Sequence, residues 1–307
     1  MNAFARTLAL GVAGKAQLAA VVASLTGASF GAAERAEACL MRPGESAQSY
    51  LDLGATAQGR VGWLSGISSS TGQQLGGYGT VTFINPYQAI TAAHVVSGLF
   101  QNDNYARIGM GGNYFSDPGQ QVDAYQATFY PTYQQGSVNT NNPDIAILTF
   151  ATPLAGVSQV SYGTANPFDV VTSFGYGFAF FAGDPIVQPD GFRRGWNAPV
   201  KTGAPLFGDD QWYNWTQFGG GSGSAVPVNG KGLSGDSGGG VYNSQGQLVG
   251  INFGQTGNGA SLGTTSYLDL SRPEVLSWLQ ANTVIPTPGT VGLFGLAALG
   301  MRGRRRA

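Results

Sequence analysis

Between Val61 and Leu268 the chain is written as short apolar runs, and turn residues cut each run before it reaches helical length. Val61–Ile67 and Tyr78–Ile84 flank a Ser/Gly/Gln turn, Asn85-Pro86-Tyr87 makes the next turn, and Gln88–Thr91 follows it. Runs of the same kind lie at Asp123–Tyr130, Ile145–Phe150, Val170–Phe174, Ala225–Val228, Gly240–Tyr242, Leu248–Phe253 and Ser266–Leu268. Short runs rich in β-branched and aromatic residues, bounded by Gly, Pro, Asn and Ser, predict strands. Many such strands predict a barrel or a sandwich. Only Arg272–Asn282 reads as a helix: Val275, Leu276 and Leu279 form an apolar stripe, Ser271 is a candidate cap and Pro273 sits early. Composition agrees, since 49 glycines and only 10% charged residues suit tight turns rather than a helical bundle or a disordered tail. The 307 residues allow one large all-β unit or two small ones.

The chemistry is narrowed by a single histidine, His94, in Thr91-Ala92-Ala93-His94-Val95-Val96. Far downstream, Gly235-Asp236-Ser237-Gly238-Gly239 offers a serine between glycines, which permit a tight turn and close approach of another backbone. Asn142-Pro143-Asp144 places an acid just before the apolar run Ile145-Ala146-Ile147-Leu148. A hydroxyl is a poor nucleophile until a base takes its proton, and a third group usually orients that base. With one histidine in the chain, Ser237, His94 and Asp144 form one hypothesis. An Asp before a strand is commonly a turn cap. The apolar residues after Asp144 favour burial, and a buried carboxylate needs a partner such as an imidazole.

These three motifs, in the order His, Asp, Ser, resemble the signatures of the trypsin/chymotrypsin-like serine proteases. Weaker matches support the resemblance over roughly residues 55–284. Phe129-Tyr130-Pro131-Thr132-Tyr133 is similar to a His-Pro-x-Tyr segment with Tyr130 in place of the His. Phe174-Gly175-Tyr176-Gly177 is similar to the Gly-Trp-Gly stretch near the start of the second barrel, and Leu248-Val249-Gly250-Ile251 to the strand after the serine. The resemblance implies an all-β fold of two antiparallel six-stranded β-barrels with a short C-terminal helix, and Val157–Pro167 as the crossing between barrels. It also implies roles. Ser237 is the nucleophile, His94 the base and Asp144 its orienter. The N–H groups of Gly235 and Ser237 form the oxyanion hole, and Asn252-Phe253-Gly254 pairs with substrate backbone. Lys231, six residues before the serine, falls where the family often has the base of its primary pocket, which would favour an acidic substrate side chain; the plainer alternative is a solvated loop lysine. In zymogen-type members the acid matching Asp236 pairs with a newly cut N-terminus. No Arg-Ile-Val-Gly-Gly-like site is present, so Asp236 is expected to be held by backbone or side-chain donors. Trp196, Trp212 and Trp215 lie in Phe192–Phe218 and are expected to cover the second barrel or to form an outer substrate wall.

Both ends carry the pattern of targeting segments. Residues 1–38 read as a leader: Arg6 and Lys15 precede a small-residue apolar run from Leu18 to Phe30, and Ala36-Glu37-Ala38 is a candidate cut site. Residues 39–54 are expected to be an N-terminal extension, 55–284 the protease-like domain, and 285–307 a sorting segment. In that segment Pro286-Thr287-Pro288 introduces an apolar run up to Met301, followed by Arg302, Arg304, Arg305 and Arg306. It resembles the PEP-CTERM sorting signals of Gram-negative bacteria, with Thr287 where a Glu is usual. The run is shorter than the ~20 residues that span a bilayer, which suits a transient membrane anchor held by basic residues. The resemblance implies sorting and processing machinery as partners, and an extracytoplasmic location, secreted or at the cell surface or matrix.

Of the 15 basic and 16 acidic residues, three basic and two acidic lie in the first 38 and four arginines at the end. This leaves 8 and 14, a net of −6, which is no footprint for nucleic acid. One cysteine, Cys39, allows no internal disulfide, and with one histidine it leaves no zinc site of those ligands. No cofactor is expected. The implied activity is endopeptidase cleavage of protein or peptide substrates. Two rivals use the same chain differently: a non-catalytic surface or matrix binding protein on a protease-like fold, and an esterase using the same triad.

Overall fold

In the computed structural model the described residues are 39–100, 103–134, 142–181, 190–201, 212–218, 226–256 and 263–283, and all belong to one compact unit. The expected leader at 1–38 and the expected sorting segment at 285–307 lie outside them. The described chain opens with β1 (Cys39–Met41) and α1 (Ala47–Ala55). Neither stands apart from the domain that follows. Cys39, Leu40 and Met41 are buried, and the α1 residue Tyr50 is buried with its hydroxyl donating to Asn229 O at 2.7 Å. Ser46 caps α1 by accepting from Ser49 N–H. Gly54 lies so close to Arg193 that a Cβ there would strike its carbonyl.

Seven strands form the first sheet: β2 (Val61–Ile67), β3 (Gln74–Asn85), β4 (Gln88–Thr91), β5 (Tyr105–Gly109), β6 (Gln121–Ala124), β7 (Ala127–Phe129) and β8 (Ala146–Thr149). Their order is β6-β5-β2-β3-β4-β8-β7, antiparallel throughout. The run Asp123–Tyr130 thus divides into two strands on opposite edges. A one-turn helix, α2 (Ala93–Val96), follows β4 directly. The second half supplies β9 (Val170–Gly175), β10 (Ala179–Phe181), β11 (Arg194–Pro199), β12 (Tyr213–Gln217), β13 (Gly230–Lys231), β14 (Gly240–Tyr242), β15 (Leu248–Thr256) and β16 (Thr264–Asp269). Six of these form an antiparallel sheet in the order β11-β9-β14-β15-β16-β12. A small third sheet, β10-β1-β13, pins the start of the described chain against the second half. The strand expected at Ala225–Val228 is displaced: Ala225 lies outside the described residues, Pro227 and Val228 form a turn, Asn229 makes an isolated bridge to Asn197, and β13 begins at Gly230.

Leu64, Val81, Phe83, Ile108 and Leu148 fill the inside of the first curled sheet. Truncating a buried aromatic such as Phe83 to Ala costs about 3–5 kcal/mol in comparable cores. A second cluster joins the halves. It packs Trp63, Ile84, Ile90 and Ile145 of the first half with Ile251 and Leu268 of the second. The last helix, α3 (Pro273–Asn282), closes this cluster with Val275 and Leu279. Its cap residue is Arg272 rather than Ser271, whose hydroxyl turns back to Asp269. Val157–Pro167 runs between the two sheets without a named strand.

Candidate active site

Strand neighbourhood decides where His94 and Asp144 meet. β4 and β8 are antiparallel neighbours with Thr91 opposite Ala146. The chain leaving β4 therefore emerges beside the chain entering β8. His94 is the second residue of α2, whose Ala93 and Val96 are buried and hold the turn down. Asp144 lies two residues before β8, is only 5% exposed, and accepts from the imidazole Nδ1 at 2.5 Å and from the His94 backbone N–H at 2.8 Å. A carboxylate can only accept, so Nδ1 carries the proton and Nε2 is left with its lone pair. The imidazole is 43% exposed on its other side. Burial alone would lower its pKa, but the charge and hydrogen bond of Asp144 outweigh this and raise it above 6.5.

A residue that sequence reading missed supports the acid. Tyr213, on β12, is buried; its hydroxyl donates to Asn142 O at 2.9 Å and accepts from the Asp144 N–H at 3.1 Å. Its ring packs on Phe253 at 4.7 Å between centroids, and Phe253 stands edge-on to His94 at 6.0 Å. Nothing local in the sequence links position 213 to 144, so the sequence holds no signal for it.

Ser237 sits in the turn between β13 and β14, where Gly235 (φ +91°) and Gly238 (φ +86°) adopt backbone conformations that a side chain resists. Threonines of the first sheet stitch this turn in place. Thr80 N–H donates to Ser237 O at 3.0 Å, Thr80 Oγ1 to Gly235 O at 2.8 Å, and Thr82 Oγ1 to Gly238 O at 2.9 Å. The carbonyls of the turn are thereby occupied, while the N–H groups of Gly235 and Ser237 donate to nothing among the described residues. The Ser237 hydroxyl donates to Phe253 O at 3.3 Å, a long bond, and not to the imidazole.

Asp236 points the other way, 2% exposed, with Oδ1 accepting from Gly177 N–H and Oδ2 from Leu233 N–H, both at 2.9 Å. Backbone donors hold it, as expected. Gly175 and Gly177 leave it room, since a Cβ at either would run into its carboxylate. Burial pushes its pKa up to about 7 against the two N–H donors and the more distant charge of Arg194. The Cys39 thiol is buried within reach of the same carboxylate; burial and that charge hold it protonated, hence a poor nucleophile. Among the described residues no cluster of three or more His, Cys, Asp or Glu could hold a metal ion.

No protein-family model matches the chain, and no curated protein matches it in sequence. Solved structures do match. One is the scabies mite inactivated protease paralogue S-I1, at 19% identity and a TM-score of 0.52, over 75% of this chain and 96% of that one. The fold is trypsin-like. At that identity the likeness carries the fold alone.

Within the trypsin-like fold a hollow of about 180 Å³, counting its open mouth, lies beside Ser237. Asn252, Phe253 and Gly254 of β15 form one wall, where the β15–β16 register slips between Asn252 and Gly254. Leu233 and Thr265 also line it. Lys231 is not among the lining residues. It is 0% exposed on β13, opposite Leu40 of β1, so it is neither a solvated loop lysine nor the base of this hollow. Of the tryptophans, Trp196 is fully buried behind β13 and Trp212 packs on Tyr130.

Proposed function

We propose that the chain is a serine endopeptidase. The observation that carries this reading is one constellation: an imidazole fixed by a buried carboxylate at 2.5 Å, beside a serine turn whose two N–H groups find no acceptor among the described residues. Ser237 Oγ attacks the scissile carbonyl carbon while His94 Nε2 takes its proton. The carbonyl oxygen becomes an oxyanion held by the Gly235 and Ser237 N–H groups, donors worth ~3 kcal/mol each in other serine proteases. His94 returns the proton to the leaving amine, and water then frees the acyl group by the same steps in reverse. Asp144 keeps the ring in the required tautomer and stabilises the imidazolium. Asn252-Phe253-Gly254 offers the strand edge for substrate backbone. The Ser237 hydroxyl must turn from Phe253 O to the imidazole, and such catalytic bonds are often loose until substrate arrives.

Labelling by a fluorophosphonate tests the reading directly. The folded chain should label as trypsin does under the same conditions, and Ser237→Ala should abolish labelling without unfolding. An unlabelled folded chain would sink the enzyme. A non-catalytic binding protein is then the second reading, favoured by the Ser237 hydroxyl donating to Phe253 O and not to the imidazole. Ester cleavage uses the same atoms, and parallel peptide and ester assays separate it. The ends complete the proposal: residues 1–38 export the chain, and 285–307 anchor it transiently for sorting to the cell surface.

A further inference from the structure

Asp236 stands between Gly235 and Ser237, so what holds its carboxylate also steadies the two N–H groups of the proposed oxyanion hole; the inference rests on the peptidase reading. Two backbone donors hold that carboxylate, Gly177 N–H on Oδ1 and Leu233 N–H on Oδ2, both at 2.9 Å. They come from distant segments. Gly177 lies two residues before β10, and Leu233 two residues after β13. Among the described residues β10 and β13 do not pair with each other. β1 lies between them, parallel to β10 with Leu40 opposite Phe180, and antiparallel to β13 with Leu40 opposite Lys231. The outer strands therefore stand two interstrand spacings apart, roughly 9.5 Å, and β1 sets that distance. Beyond the sheet a long backbone bond from Phe178 N–H to Ser234 O at 3.3 Å links the two segments directly.

Packing repeats the pattern. Leu40 is fully buried in one apolar cluster with Leu233, which supplies one donor, and Phe178, which follows the other. The end of β1 is tied as well. Arg42 N–H donates to the Tyr50 hydroxyl at 2.8 Å, and that hydroxyl donates to Asn229 O at 2.7 Å, next to β13. The clamp itself has no slack: a Cβ at Gly177 would lie 2.5 Å from Ser234 O, and one at Gly235 would lie 2.8 Å from Gly177 Cα. If the outer strands drift, a buried carboxylate loses a donor and the serine turn moves with it.

We infer that β1 is a positioning element of the active site. It keeps the Gly177 and Leu233 N–H groups at the spacing that clamps Asp236. Through Asp236 it aims the Gly235 and Ser237 N–H groups at the oxyanion. Leu40 touches no substrate and acts only through this clamp.

Leu40→Ala in the full chain tests the inference against Leu64→Ala, the same truncation inside the first sheet, with the folded fraction of each measured by circular dichroism. Per folded molecule, Leu40→Ala should label with fluorophosphonate up to about 100-fold more slowly, the cost of a reacting group misplaced by about an ångström. The loss should fall on the inactivation rate constant rather than on probe affinity. Leu64→Ala should label at the parent rate per folded molecule. Leu40→Met, close in volume, should restore most of the rate. Leu40→Val reads the same effect in milder form if the alanine variant fails to fold. Amide hydrogen exchange gives a readout that needs no activity. In Leu40→Ala, Gly177 and Leu233 should exchange faster than the loss of global stability explains; in Leu64→Ala they should follow it. If the chain labels and the Leu40 variants match Leu64→Ala per folded molecule, the inference falls and the peptidase stands. If the chain never labels, the peptidase reading falls and exchange decides the brace: equal behaviour of Gly177 and Leu233 in both variants would end it.

Discussion

At the scale of single residues, His94 and Asp236 titrate in ways that oppose each other's usefulness. Asp144 holds the imidazole proton above pH 6.5, and catalysis needs that proton gone from Nε2. The acid limb of kcat/KM should therefore have its midpoint above pH 6.5. Asp144→Asn should shift it downward and lower kcat by about 10⁴, as wrong-tautomer variants do elsewhere. Stability runs the other way. A histidine whose folded pKa is raised stabilises fully below its unfolded pKa, and this is lost as pH climbs through the folded value. Asp236 is a carboxyl with a raised folded pKa, so the folded state binds the proton more tightly, and its ionisation destabilises progressively between pH 3.8 and about 7. Thermal melts at pH 5 and pH 8 should show the lower melting temperature at pH 8, and Asp236→Asn should narrow the gap. A chain that melts higher at pH 8, with the same gap in the variant, would contradict this assignment.

At the scale of elements, the threonines of β3 connect the two halves of the site. Thr80 serves three groups: its N–H and hydroxyl bind the serine turn, and its Oγ1 accepts from Tyr176 N–H. Thr80→Val should cost about 1–3 kcal/mol, since it strands a buried N–H and a carbonyl. It should slow fluorophosphonate labelling more than Thr82→Val, which strands only Gly238 O; equal labelling rates would show that the stitches do not position the turn. These bonds also mark how far the sequence can be read. β2, β4 and β14 match their apolar runs end for end, and the candidate triad stood out because the one histidine, Asp144 before its apolar run and Gly235-Asp236-Ser237-Gly238-Gly239 occur in a single family-like order. β11 and β12 escaped because Arg-Gly-Trp-Asn-Ala-Pro and Tyr-Asn-Trp-Thr-Gln show no run of aliphatic residues. β1 is three residues long and finds its partners about 140 and 190 positions away, where no local pattern can point. For Lys231 the sequence left a buried pocket lysine and a solvated loop lysine both open, and only the third sheet decides that it is buried.

At the scale of the whole molecule, the described body ends where α3 is satisfied. Thr283 donates both its N–H and its hydroxyl to Leu279 O, and Gln88 Nε2 holds Asn282 O. A chain stopped at Thr283 should therefore fold, label with the probe and escape into the medium. Loss of folding would make the tail part of the core and end the sorting proposal. Among the described residues no helix is long and apolar enough to cross a membrane. At the other end, a leader cut must fall no later than the Ala38–Cys39 bond, because Cys39–Met41 is a buried strand. The stitching of β3 to the serine turn has one more consequence. His94 and Asp144 are contributed early in the chain and Ser237 late, and the turn that carries Ser237 is braced by a strand made some 155 residues before it. On the proposed peptidase reading, a chain threaded outward amino end first would present a base without its nucleophile for most of its passage, and competence would arrive only with the closing strands.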